Sequence, residues 1–132
     1  MNMIDDVRHF HATMGVPIEE LPTLSTIERR LLRMRLIQEE AGETAQALIE
    51  NDLAAIADGV IDLLYVTIGT AIELGLPIEA LWAEVHRTNV AKAGGPIRED
   101  GKQLKPPGWT PPDIAGVLTI YGYTTGSAEP TK

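Results

Sequence analysis

At 132 residues, 44% apolar and 23% charged, the chain has room for one modest domain of ordinary globular composition. Its formal net charge of −8 excludes a protein that grips duplex nucleic acid by neutralising phosphates. The absence of cysteine excludes a disulfide framework or a thiolate metal site.

No stretch reaches the roughly 18 uninterrupted apolar residues of a bilayer span, because the best candidate, 60–76, carries Asp62 and Glu73. The first ten residues contain Asp5 and Asp6 and lack the apolar core of a signal peptide. The expectation is a cytoplasmic protein with neither a membrane nor a nucleic-acid partner.

Residues 3–14 repeat apolar side chains (Met3, Val7, Phe10, Met14) at three- and four-residue steps, a short amphipathic helix. His9 and His11, in or beside it, are read as surface residues. Gly15, Pro17 and Pro22 break the chain. Ser25 and Glu28 then match a capping box, so a long helix is expected to start near Thr26 and run to about Glu50. On that helix Ile27, Leu31, Met34, Ala41, Ala45 and Leu48 share one face. Leu32, Leu36 and Ala47 lie opposite, on the side of Glu39, Glu40 and Glu43. Two apolar faces predict packing on both sides, with the carboxylates at an interface.

Residues 53–75 are apolar nearly all round and predict a helix buried on most sides. Asp58 and Asp62 sit on it, one turn apart. Gly75 and Pro77 separate it from a helix reaching about Lys92, with Ile78, Leu81, Trp82 and Val85 as its stripe. Gly94-Gly95-Pro96 ends that helix, and Asp100-Gly101 is a tight-turn pair. Thr110 and Pro111 are expected to start a last helix of about 112–121. The fold class is therefore all-α, a helical bundle built on two long antiparallel helices. One domain spans 1–122, and 123–132 is expected to be a flexible C-terminal tail.

The antiparallel hairpin brings Glu40 and Glu43 near Asp58 and Asp62. A carboxylate inside a buried helix needs a partner. For Asp62 the bland partner is Arg29, Arg30, Arg33 or Arg35, and a solvated charge run is the bland reading of the three glutamates. The sharper reading is a hard divalent ion, Mg²⁺ or Mn²⁺, held with substrate phosphates, because all the donors are oxygens. A small nucleotide is then the natural substrate. The basic residues after the helices would clamp its phosphates, and Trp109 offers a face for its base. The glycine-rich phosphate loops of other folds are missing.

Taken together, Glu39-Glu40-x-x-Glu43, Asp62-Leu63-Leu64-Tyr65-Val66, the segment Glu84-Val85-His86-Arg87-Thr88-Asn89-x-x-Lys92 and Asp100-Gly101-Lys102-Gln103-Leu104-Lys105-Pro106 carry a resemblance. Over roughly residues 25–120 the chain resembles the MazG-like all-α nucleoside triphosphate pyrophosphohydrolases. These include a dUTP diphosphatase group and the related phosphoribosyl-ATP pyrophosphohydrolases. The resemblance implies cleavage between the α- and β-phosphates, a magnesium cofactor and a homodimer or larger assembly. By residue it implies Glu40, Glu43 and Asp62 as metal ligands, with Glu40 and Glu39 in the catalytic set. Glu39 would be an extra ligand or the group that orients water. Asn89, Lys92, Lys102 and Lys105 would contact phosphate or base.

One position departs from the family's E-E-x-x-E and E-x-x-D pattern: Gly59 stands where the second motif has its glutamate. Asp58, next to it, is expected to replace that ligand; were catalysis instead lost through Gly59, Gly59→Glu is the change expected to restore activity. The rival expectations are a nucleotide-binding module that has lost catalysis, a phosphoribosyl-ATP pyrophosphohydrolase, and a helical interaction protein whose acidic cluster is a salt-bridged seam.

Overall fold

A computed structural model describes residues 2–124. Its five helices are α1 (Met3–Met14), α2 (Ile27–Glu50), α3 (Leu53–Glu73), α4 (Ile78–Val90) and α5 (Ile114–Ile120). Among the described residues β pairing is limited to an isolated bridge between Ile97 and Gln103. The all-α expectation holds, and most of the expected tail, 125–132, lies outside the described residues. The chain packs as two compact units that meet in sequence at Leu76 and Pro77.

In the first unit α2 and α3 form an antiparallel hairpin: Arg29 meets Glu73, Arg33 meets Thr70, and Thr44 meets Gly59. Two residues make the turn. Asn51 ends α2 in the left-handed conformation, φ 60°, which asparagine tolerates better than most side chains. Asp52 starts α3 by accepting the Ala55 N–H at 3.1 Å. At the other end of α2 the cap is Thr26, whose hydroxyl accepts from the Arg29 N–H, and not Ser25; the Ser25 carbonyl instead accepts from the Arg30 guanidinium.

The stripe of α2 that faces inward is not the one its apolar residues mark. Arg33, Thr44 and Ala47 are buried, with Ile37 and Glu40 half-buried between them, at the four- and three-residue steps of a packing seam. Ile27, Leu31, Leu32, Met34 and Leu48 are exposed. On α3 the inward stripe is Gly59, Gly69, Ile72 and Glu73, while Val60, Ile61, Leu64 and Tyr65 face outward, Ile61 with 59% of its surface exposed. Burial of α3 on most sides is thus not found within one chain. Among the described residues α2 and α1 make the main helix contacts with it, and two neighbours cannot cover a whole cylinder. By length and composition alone α3 is apolar enough to cross a bilayer.

His11 corrects a second expectation: it is 2% exposed. Its Nδ1 lies 3.0 Å from the Pro17 carbonyl, and its ring and the Arg33 guanidinium fill the space left by the missing side chain of Gly69. The following loop is laced to the end of α3 by Glu19 N–H to the Ile72 carbonyl and Thr23 N–H to the Leu74 carbonyl. Gly75, at φ 63°, lets the Leu21 carbonyl approach where any side chain would collide.

In the second unit α4 stops at Val90, two residues short of Lys92. The next segment folds back through the expected Asp100-Gly101 turn, with Gly101 N–H bonded to the Arg98 carbonyl at 2.8 Å and Leu104 N–H to that of Pro96 at 2.8 Å. The last helix begins later than expected and its cap is Asp113, accepting from Gly116 N–H at 3.0 Å, not Thr110. Pro112 disfavours a helical conformation at Pro111, which pushes the start downstream.

Candidate active site

A close approach between α2 and α3 lies among the acidic residues. Thr44 and Gly59 are both buried there, and a Cβ on Gly59 would lie 2.6 Å from Thr44 Oγ1 and 3.0 Å from its Cα. Glu40 is one turn before Thr44, Glu43 is its neighbour, and Asp58 and Asp62 flank Gly59. This contact explains the departure from the family pattern: position 59 is a helix-crossing point with no volume for a longer side chain. Gly59→Glu is therefore expected to open the hairpin instead of restoring a ligand. Gly59→Ala, the smaller test, is expected to cost about 1–3 kcal/mol by overpacking. An unchanged urea midpoint for Gly59→Ala would show that the helices separate freely there.

Glu39, Glu43, Asp58 and Asp62 are exposed in the single chain, and Glu40 is half-buried. The expected burial of Asp62 is thus not found, because the stripe of α3 that packs inward passes through Gly59 and leaves Asp62 on its flank. Glu40 alone reaches inward. Its Oε2 is buried and has no hydrogen-bond partner. Burial, together with the carboxylates of Glu43, Asp62 and Glu39, pushes the Glu40 carboxyl above the ordinary range. Asp58 does not figure among the charges acting on it.

The bland partner for Asp62 is largely taken. Arg29 donates from both its Nε and Nη2 to the Glu73 carboxylate. Arg33 donates to Thr70 Oγ1 at 3.0 Å and to the Val66 carbonyl at 2.7 Å, with its Nη1 3.9 Å from Glu73. Glu73, which sequence reasoning passed over, is the buried acid of this hairpin.

Whether the acidic residues suit a divalent ion can be judged from Glu40. A buried, unpartnered carboxylate oxygen beside three more carboxylates is a donor set that a hard cation satisfies. Among the described residues no three acidic or histidine side chains converge as a ready-made cage. Magnesium commonly keeps waters and phosphate oxygens in its shell, so an incomplete protein set still fits.

The second unit carries the other candidates. Asn89, Lys102 and Lys105 are exposed, and Lys92 and Trp109 are half-buried. Lys92 Nζ lies 5.3 Å and Lys105 Nζ 4.8 Å from the centre of the Trp109 ring, so the structure gathers these three; Lys102 stands apart on the turn. Glu84, part of the motif ending in Lys92, has a structural task. It receives the Arg87 guanidinium at 2.6 and 3.1 Å and the Asp113 N–H at 3.0 Å, tying α4 to the start of α5.

The hydrogen bonds from Arg87, then that from Asp113, hold the Glu84 carboxyl down to about 2 against an ordinary 4.5. A carboxyl lowered on folding adds stability above its ordinary value and loses it as pH falls. The contribution of Glu84 is thus complete above about pH 4.5 and gone once pH passes below about 2. Glu84→Gln is expected to flatten the acid limb of a pH–melting curve over that window while changing the neutral-pH slope little. Equal acid sensitivity in both proteins would show that the contact does not form.

The all-helical fold agrees with the class expected from the sequence, an all-α pyrophosphohydrolase acting on acid anhydrides. The model of one family, phosphoribosyl-ATP pyrophosphohydrolase, matches residues 7–89, well over half of the chain. The chain belongs to that family, in keeping with its resemblance to the MazG-like superfamily. No curated protein matches it in direct comparison. The matched stretch contains Glu39, Glu40, Glu43, Asp58, Asp62 and Asn89 and ends before Lys92, Lys102, Lys105 and Trp109.

Proposed function

We propose that the protein is a Mg²⁺-dependent (or Mn²⁺-dependent) nucleoside triphosphate pyrophosphohydrolase that releases pyrophosphate and a monophosphate, with dUTP the first candidate substrate. The observation that carries this reading is the buried, unpartnered oxygen of Glu40 amid Glu39, Glu43 and Asp62, in a chain of the pyrophosphohydrolase family. Glu40, Glu43 and Asp62 would hold the ion, with Asp58 standing in for the glutamate that Gly59 displaces. The bound ion supplies charge neutralisation and an acidified water. Glu39 and Glu40 take the catalytic positions, Glu39 orienting the attacking water. Asn89, Lys92, Lys102 and Lys105 serve as phosphate contacts.

The protein acts in this reading as one domain over 1–122, in the cytoplasm, with no membrane or nucleic-acid partner. Its assembly is a homodimer or larger. The exposed apolar residues of α2 and α3, with a groove of about 380 Å³ lined by Met34, Ile37, Thr70 and Leu74 among others, support this. A monomer rarely leaves so much apolar surface wet. The decisive experiment is pyrophosphate release from a panel of dUTP, the other dNTPs, NTPs and phosphoribosyl-ATP with each metal. Release from dUTP is the expected result, and silence across the panel would sink the reading. Preference for phosphoribosyl-ATP would move the substrate within the same family.

A further inference from the structure

The segment after α4 concentrates positive charge in an acidic protein: three of its four lysines lie between 92 and 105. Two acids of the second unit are engaged elsewhere, Asp100 by Arg98 at 2.6 and 2.8 Å and Glu84, on α4, by Arg87. Among the described residues neither Lys92 nor Lys105 forms an ion pair with a carboxylate. Both ammonium groups instead lie over one ring, that of Trp109. The ring is itself fixed, because its Nε1–H donates at 2.7 Å to the carbonyl of Thr88, a residue only 1% exposed on α4. Gln103 Nε2 holds the backbone between the two lysines, donating at 2.7 Å to the Gly95 carbonyl and at 3.1 Å to that of Lys92.

Lysine side chains are long and hydrated, and two that share one neighbour repel each other. A fixed indole ring offsets that repulsion through its quadrupole and restricts the stems. What remains is a pair of charges without carboxylate partners, 5.3 and 4.8 Å from one ring centre and so no more than about 10 Å apart, a span that a chain of condensed phosphates can bridge.

We infer that Trp109 is a positioning residue that holds Lys92 and Lys105 as a paired-ammonium subsite for a condensed phosphate chain, and does not itself stack on the base. This deepens the nucleotide reading and rests on it for the identity of the ligand. Trp109 acts through the lysines, so substituting it should matter only while they are present. The phosphate chain alone, without base or sugar, should feel the change.

The test is calorimetric binding of inorganic tripolyphosphate and of dUTP, with divalent ions chelated so that the carboxylates do not contribute. Trp109→Leu is expected to weaken both ligands equally, roughly tenfold. Trp109→Phe, which keeps an aromatic face, should stay near the wild type. In a Lys92→Gln/Lys105→Gln background, Trp109→Leu should add no further loss. Weakening of dUTP with tripolyphosphate unaffected would overturn the inference in favour of base stacking. A wild type that binds no tripolyphosphate would overturn it too, whereas the enzyme reading stands or falls separately on the pyrophosphate panel. Should Trp109→Leu fail to fold, NMR of the wild type decides. The ε-methylene protons of Lys92 and Lys105 are expected upfield from ring current, moving on addition of tripolyphosphate, and unshifted signals for either lysine would refute the arrangement.

Discussion

Glu73→Ala is expected to lose about 3–5 kcal/mol of stability, the largest loss of any single substitution considered. The Glu73 side chain is fully buried and receives Arg29 through two hydrogen bonds, while Arg33, itself nearly buried, sits at the edge of the same carboxylate. Removing the acid strands Arg33 as an unpaired charge in the seam between α2 and α3. That penalty, more than the lost attraction, sets the size of the effect. Burial already lowers the Arg33 guanidinium from its ordinary value, opposed chiefly by Glu73, so the loss of Glu73 removes the main charge favouring it. Urea unfolding reads this as a lower midpoint at unchanged slope. A loss below about 1 kcal/mol would mean that water or another acid reaches Arg33 once Glu73 is gone.

Glu73 also shows where sequence reasoning stopped. The lengths and ends of α2 and α3 were legible, because breakers such as Gly75 and Pro77 act locally, although the caps expected at Ser25 and Thr110 are Thr26 and Asp113. The seam was not. Hydrophobic periodicity assumes that the inward stripe is apolar, but this hairpin is held by Arg33, Thr44 and Glu73 beside Ile72, with glycines opposite, while Leu31, Leu32, Leu48, Ile61 and Leu64 are exposed. His11 was assigned to the surface for the same reason. One signal was available: small residues at 59 and 69 on an otherwise bulky apolar helix mark where another element comes close.

Spacing places Glu40, Glu43 and Asp62 at the same level of the hairpin, where Glu43 and Asp62 act on Glu40, but no three acidic or histidine side chains among the described residues converge. Burial of the acidic residues was overestimated. Of the five, Glu40 alone is half-buried, and Glu39, Glu43, Asp58 and Asp62 are exposed. That distribution suits a site that must admit a polyphosphate, because carboxylates sealed between helices could not share an ion with it. The basic segment was located by charge, but which lysines meet depends on the fold-back at Asp100-Gly101 and on the hydrogen bond of Trp109, neither of which has a periodic signature.

The exposed acidic residues lead to the second large effect, in which activity and stability move in opposite directions. Glu43→Gln is expected to lower turnover on the order of a hundredfold or more, because it withdraws a charged donor from the proposed ion. The same substitution should raise the melting temperature of metal-free protein. Without an ion the carboxylates of Glu39, Glu43 and Asp62 act on Glu40 as like charges, and glutamine removes one of them at nearly constant shape. Added Mg²⁺ should then close the gap, stabilising the wild type by mass action more than the variant. Melting curves in chelator and in millimolar Mg²⁺, run beside pyrophosphate release, separate the readings. Full turnover in Glu43→Gln removes it from the ligand set. A lower metal-free melting temperature would mean that Glu43 supports the fold, as a salt-bridged seam requires. Higher stability with lost activity is what a site assembled for a cation predicts, since its repulsion is retained for function.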